Sequence, residues 1–165
     1  MSEHADPVGL LPRSGLGRTA LLAVFWTVIG VIFALPNIGS NGSALIALGF
    51  SLTQWWAWGL IAPLVVAADR RLPFSDRQLA RRLGAHVVLS LAFTVLYVYV
   101  GAALRATVHL IPWAAVFTTQ LITNALSGMY LWGWLIYWVI LGGWLALNYY
   151  AVSYTHLTLP TKLEV

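Results

Sequence analysis

The two histidines inside the apolar part of this sequence are the first residues whose chemistry could serve a metal, a haem or a proton. His86 and His109 are predicted to lie at opposite ends of one membrane-length stretch. Two ligands of one metal or haem must lie at a similar depth, so these residues cannot share a site. We therefore interpret His86 as a hydrogen-bonding residue near the membrane interface, and we expect no metal and no cofactor.

Three uncharged amides, Gln54, Asn124 and Asn148, lie within or beside the apolar stretches. Polar side chains inside a bilayer are costly, and amides in helix bundles commonly hydrogen-bond to a neighbouring helix. We expect such intramembrane contacts for these amides and for His86.

The acidic residues and the known catalytic motifs give no sign of a reaction centre. Asp69 and Asp76 are both assigned to a basic loop, so no carboxylate is expected inside a membrane segment, which argues against a proton-coupled pump. The sequence has no glycine-rich phosphate loop, nucleophile elbow or paired acid and base. We expect no enzymatic centre in these residues.

Composition indicates that lipid surrounds most of the chain. Of the 165 residues, 60% are hydrophobic and 8% are charged, and nine are tryptophan, whereas soluble domains carry about 25% charged residues. Mean hydropathy is +0.80. There are no cysteines, which excludes disulfides and cysteine-bound metals. The net charge of +4 comes mostly from arginines near predicted helix ends, so we expect no nucleic-acid partner for this segment.

Four apolar segments predict an all-α polytopic membrane bundle with both ends in the cytoplasm, preceded by a polar leader at 1–18. The predicted spans are 19–36, 44–68, 84–104 and 128–151. Residues 105–127 are interpreted as an outer connection or an interfacial helix begun by Pro112, with a re-entrant segment left open as the alternative. Pro63 should bend the second span, because proline removes a backbone hydrogen bond.

A basic loop between the second and third spans sets the predicted orientation. Its arginines form the expected topological anchor, which the positive-inside rule places in the cytoplasm. They are Arg70, Arg71, Arg77, Arg81 and Arg82. Ser75 and Gln78 have capping-box spacing, which predicts that the third helix starts near Asp76.

From Val152 the sequence becomes polar and rich in β-forming residues, without the basic residues expected after a membrane helix. The string from Ser153 to His156 resembles the translation of a sequencing adapter. We therefore expect 152–165 to be non-native, and the natural protein to have been cut after its last membrane helix.

Three motifs follow one another in a recognisable order: 58–63 (WGLIAP), 69–74 (DRRLPF) and 81–86 (RRLGAH). Over about residues 19–151 the chain resembles the membrane region of LytS/AlgZ-like sensor histidine kinases. The resemblance implies an input module in the bacterial cytoplasmic membrane, a homodimer, and a following kinase core that phosphorylates a response regulator. The phosphoacceptor and ATP-binding motifs of that family do not occur here, and His156 in the suspect tail does not match the phosphoacceptor motif.

Other functions remain open at this point. Similar membrane regions can precede a LytTR-type DNA-binding domain, so the output domain could differ. A small transporter or channel would need a continuous polar lining or an internal repeat, and neither is evident in the sequence. A membrane-embedded enzyme or haem subunit is disfavoured by the depths of the two histidines.

Overall fold

The computed structural model describes residues 15–39, 43–72, 79–124 and 130–157. Its helices are α1 (Gly15–Ala34), α2 (Ala44–Arg70), α3 (Leu79–Thr107), α4 (Thr119–Asn124) and α5 (Tyr130–Leu157), with 3-10 turns at Leu35–Asn37 and Trp113–Phe117. Within the described part four helices are long and apolar enough to cross a membrane, and no strand is present. The predicted all-α membrane bundle with four spans is confirmed.

Each long helix continues beyond at least one of its predicted ends. α2 runs past 68 to Arg70, α3 past 104 to Thr107, and α5 past 151 to Leu157. Hydropathy marks only the lipid-crossing part, whereas backbone hydrogen bonding continues along the helix. The prediction that Asp69 lies in a loop is therefore wrong, and a carboxylate does lie within a candidate span, Ala44–Arg70.

α2 is the central helix and packs against α1, α3 and α5. The core between these helices is largely aromatic, and Trp58 stacks on Tyr97 with ring centroids 4.8 Å apart. Trp55 and Trp58 are buried, whereas Trp56 on the opposite face is 37% exposed. Many large apolar side chains also face outwards, as expected for helices surrounded by lipid.

Glycines allow the helices to approach closely at three points, two between α1 and α2 and one between α3 and α5. A Cβ atom at Gly30 would lie 2.9 Å from Leu52 Cδ2, and one at Gly59 would lie 2.8 Å from Trp26 Cδ1. At Gly133 on α5, a Cβ atom would lie 2.9 Å from Thr94 Cγ2. Small residues at such positions are typical of membrane helix packing.

α3 ends in a left-handed turn that directs the chain back onto the bundle. His109 has a φ of 59°, and the N–H of Leu110 donates to the Arg105 carbonyl at 2.9 Å, as in a Schellman motif. The following 3-10 turn buries Val116 against α3. Pro112 precedes this turn, and neither the turn nor α4 is long enough to span a bilayer. The interfacial location of this segment stays a prediction.

Candidate functional site: a polar junction of three helices

The buried face of α2 ends in a carboxylate. Trp58, Ile61, Val65 and Asp69 follow one another at helical spacing on this face, and all are buried. Asp69 is 5% exposed. A carboxylate at such a position must be paired or hydrogen-bonded, because an isolated buried charge is strongly unfavourable.

α3 supplies the partners of one carboxylate oxygen. Arg82 and His86 lie one turn apart on the same helix face, and both are buried. Arg82 Nη2 donates a hydrogen bond to Asp69 Oδ1. His86 Nε2 lies 3.3 Å from the same oxygen.

α5 supplies the partner of the other oxygen. The indole N–H of Trp144 donates to Asp69 Oδ2 at 3.1 Å. The Tyr137 hydroxyl, two turns earlier on α5, lies 2.8 Å from His86 Nδ1. We name Asp69, Arg82, His86, Tyr137 and Trp144 the Asp69 junction.

The two ring nitrogens of His86 face different partners. Nδ1 forms a hydrogen bond with the Tyr137 hydroxyl whose direction depends on the tautomer of the ring, and Nε2 lies near Asp69 without an aligned hydrogen bond. The negative charge of Asp69 is balanced by Arg82. Outside the junction, the Arg70 guanidinium lies 4.7 Å from the centroid of the Trp144 ring and holds the indole by a cation–π contact.

The Asp69 junction contains a buried hydroxyl and joins three helices. Asp69, His86 and Tyr137 resemble a carboxylate–imidazole–hydroxyl relay, but the Tyr137 side chain is 0% exposed. A hydroxyl sealed within the core cannot reach a substrate. In contrast, the bonds of Asp69 fix the positions of α3 and α5 relative to α2.

A buried polar stripe continues from the junction along α3. Ser90 and Thr94 follow Arg82 and His86 at intervals of four residues, and both have 0% exposure. Their hydroxyls donate to carbonyls of their own helix, Ser90 to Val87 at 2.7 Å and Thr94 to Ser90 at 2.7 Å. Both hydroxyl donors are therefore satisfied locally.

The predicted anchor arginines do not all have the same environment. Arg70, Arg71 and Arg81 are exposed near the α2–α3 connection, whereas Arg82 is buried in the Asp69 junction. Arg77 and the predicted cap residues Ser75 and Gln78 lie outside the described residues.

The predicted intramembrane contacts also differ. His86 bonds Tyr137 as described above, and Gln54 lies beside Tyr97. Asn148 is exposed on α5, and the side chain of Asn124 lies outside the described part of the chain. Pro63 lies inside α2 on an exposed face, and its predicted bend stays a prediction.

Three members of the junction were not assigned to a site from the sequence: Asp69, Tyr137 and Trp144. Two patterns could have indicated them. Asp69 continues the four-residue spacing of Ile61 and Val65, and Tyr137 and Trp144 are seven residues apart on one face of α5. Spacing alone gives no pairing between helices, so the contacts themselves needed the fold.

Within the described ranges, no group of three or more His, Cys, Asp or Glu side chains could hold a metal ion. Comparison of the chain with protein-family models, with curated proteins and with solved structures finds no significant match.

Proposed function

We propose that the chain is the transmembrane input module of a two-component sensor histidine kinase, in the bacterial cytoplasmic membrane, with α5 as the output helix. The observation that carries the proposal is the double attachment of Asp69. This carboxylate on α2 is bound by Arg82 of α3 and by Trp144 of α5. A change in the packing of α2 or α3 is therefore passed to α5.

The mechanism is a shift between two packings of the helices. In the packing described here the Asp69 junction is closed, with both carboxylate oxygens bonded. A stimulus that favours a different α2–α3 arrangement would break the bond to Trp144 and release α5 to move by a small translation or rotation. In a homodimer, α5 of each copy would pass this movement to a following kinase core, which would phosphorylate a response regulator.

The experiment that tests this function joins residues 1–151 to a well-characterised histidine kinase core in an unbroken helical register. We expect autophosphorylation to depend on the junction, so that Trp144→Phe changes the basal rate several-fold while Trp56→Phe does not. An unchanged rate for every junction variant, with the chimera folded and inserted, would contradict the proposal.

A LytTR-type output would use the same input module with a different following domain. The genomic sequence downstream of codon 151 separates these two cases. A kinase core encoded there would support the sensor kinase. A LytTR domain would show that the input module controls a DNA-binding output, and a stop codon directly after the last span would contradict both.

The second candidate is a small transporter or channel, and the buried stripe of Asp69, His86, Ser90 and Thr94 favours it. Asp69 lies within α2 and supplies a carboxylate of the kind on which proton-coupled transport usually depends. However, both oxygens of Asp69 are bonded and the two hydroxyl hydrogens are donated to the α3 backbone. Proton or solute flux in liposomes that is lost in Asp69→Asn would establish transport in place of sensing.

A further inference from the structure

A pocket of about 470 Å³ lies between the end of α1 and the start of α2. We name it the outer pocket, because the predicted topology places this end of the bundle opposite the arginine-rich loop. Its wall includes Phe33 of α1, Asn37 of the following 3-10 turn, and Phe50, Ser51, Gln54 and Trp55 of α2. Binding pockets for small molecules commonly have volumes of about 300–1,000 Å³.

The outer pocket has an aromatic side that suits a flat or short apolar body. Phe33 and Trp55 have ring centroids 4.6 Å apart with planes inclined by 49°, and Phe50 adds a third ring to the wall. Aromatic surfaces of this kind bind apolar groups through area burial and ring contacts.

A cation lies behind the part of the same wall that Phe50 forms. The Arg105 guanidinium is 5.6 Å from the centroid of Phe50, on the α3 side of that ring. Its Nε is fully buried and has no hydrogen-bond partner among the described residues. The Tyr97 hydroxyl interacts electrostatically with Gln54 and with Arg105, and it is also buried without a well-aligned hydrogen bond in the described part.

Arg105 has no counter-charge in the described structure. The single carboxylate among the described residues is Asp69, which is bonded to Arg82 at the other end of α3. At 1.5 Å per residue, Arg82 and Arg105 are about 35 Å apart along the helix. The positive-inside rule does not account for Arg105 either, because it lies at the end opposite the basic loop.

Arg105 occurs in the last turn of α3, where a cation interacts favourably with the helix dipole. That role alone would direct the guanidinium towards the free carbonyls or water at the helix end. Instead, Nη2 lies 3.9 Å from the Cβ position of Gly101, one turn back between α3 and α2. The charge is thus directed into the bundle, towards the wall of the outer pocket.

We propose that the outer pocket binds a small carboxylate with an aromatic or short apolar body, with its anionic group at Gln54. The Gln54 amide donates a hydrogen bond to the carboxylate, and Arg105 behind it stabilises the negative charge in a region of low dielectric constant. The apolar body lies against Phe33, Phe50 and Trp55. An anionic lipid headgroup shares this chemistry, so the test separates a free acid from a lipid.

Binding in the outer pocket does not depend on the proposed function. Only the role of the ligand as the stimulus of the sensor depends on it. Gln54 belongs to α2, and Tyr97 and Arg105 belong to α3. An anion at Gln54 acts on α2 directly and on α3 through the attraction of Arg105 behind the wall, and these two helices meet again at the Asp69 junction.

The test uses the full chain in phosphatidylcholine nanodiscs, with fluorine NMR titration of 4-fluorobenzoate and of neutral 4-fluorobenzyl alcohol. We expect saturable binding of the acid that is at least about tenfold tighter than that of the alcohol. Arg105→Gln should remove this preference, and Arg105→Lys should keep most of it. Arg71→Gln is the matched control, because Arg71 is an exposed arginine at the other end of the bundle.

A second variant tests the location without changing a charge. Ile46 lines the pocket and is 44% exposed, so Ile46→Trp should fill the pocket and remove binding of both probes while the protein remains folded.

Phosphatidylglycerol added to the nanodiscs should compete with 4-fluorobenzoate if a lipid headgroup is the occupant, and should have no effect if the ligand is a free acid. The proposal is overturned if Arg105→Gln or Ile46→Trp binds the acid as the wild type does, or if the alcohol binds equally well. Such a failure would leave the chimera test of signalling untouched.

Discussion

Trp144 donates its indole N–H to Asp69 at 3.1 Å, although 75 residues separate them in the chain. This bond joins the last turn of α2 to the middle of α5. Between the same two helices Arg70 lies over the Trp144 ring, and apolar packing between helices permits small displacements more readily than a directed hydrogen bond does. The bond between Trp144 and Asp69 therefore fixes the rotation of α5 relative to α2.

Trp144→Phe should remove this bond while keeping an aromatic side chain under Arg70. Hydrogen bonds to charged groups contribute about 1.5–3 kcal/mol, so we expect a loss of folding free energy of this size. Steric-trapping measurements of unfolding in lipid would give the value. Trp56→Phe is the control, since Trp56 is 37% exposed on the outer face. Equal stability of the two variants would show that the bond to Asp69 contributes nothing.

Asp69→Leu should lower the free energy of unfolding by about 3–5 kcal/mol, because it leaves the Arg82 charge buried without its carboxylate. Arg82→Leu should lower it by a similar amount, because it leaves the Asp69 carboxylate buried without its arginine. The double variant should recover a large part of the loss, since two apolar side chains replace the pair. A double-mutant cycle measured by the same unfolding assay gives the coupling energy. Simple additivity of the two losses would refute the pairing.

Gly59→Ala should destabilise the α1–α2 contact by about 1–3 kcal/mol, because the added Cβ meets the Trp26 ring. The free energy of unfolding checks the value. Gly142→Ala is the matched control on α5, where nothing lies within 4 Å of the added Cβ. That variant should be neutral or stabilising, because alanine favours a helix over glycine by about 0.5–1 kcal/mol. If Gly142→Ala were more destabilising than Gly59→Ala, α1 would not cross α2 at Gly59.

The predicted orientation can be tested directly, because the chain has no cysteine. Single variants Ser40→Cys and Ser75→Cys should react with a membrane-impermeant maleimide from opposite sides of the membrane. We expect Cys labelling at 40 in intact spheroplasts and at 75 only after lysis, since arginine-rich loops remain in the cytoplasm. Labelling at 75 in intact spheroplasts would invert the orientation.

Hydropathy predicted the four spans because long apolar segments are stable in lipid only as helices. The ends were less predictable, and Asp69 shows why. A charged residue predicts the end of a span, but the partner Arg82 allows α2 to continue with the Asp69 charge buried. The sequence predicts a hydrogen-bonding role for His86, yet its bond to Tyr137 depends on how α3 and α5 meet. The residues next to Asp69 and His86 in the sequence do not show these contacts between helices.

The separation of Asp69 from its partners also orders events during biosynthesis. Arg82 follows Asp69 by 13 residues, whereas Trp144 follows it by 75. A charge in the middle of an inserting helix costs about 2.5–3.5 kcal/mol, and Asp69 in the last turn of α2 lies where this cost is smaller. Its pair with Arg82 can form once α3 follows α2, whereas the bond to Trp144 can form only after α5 has been made.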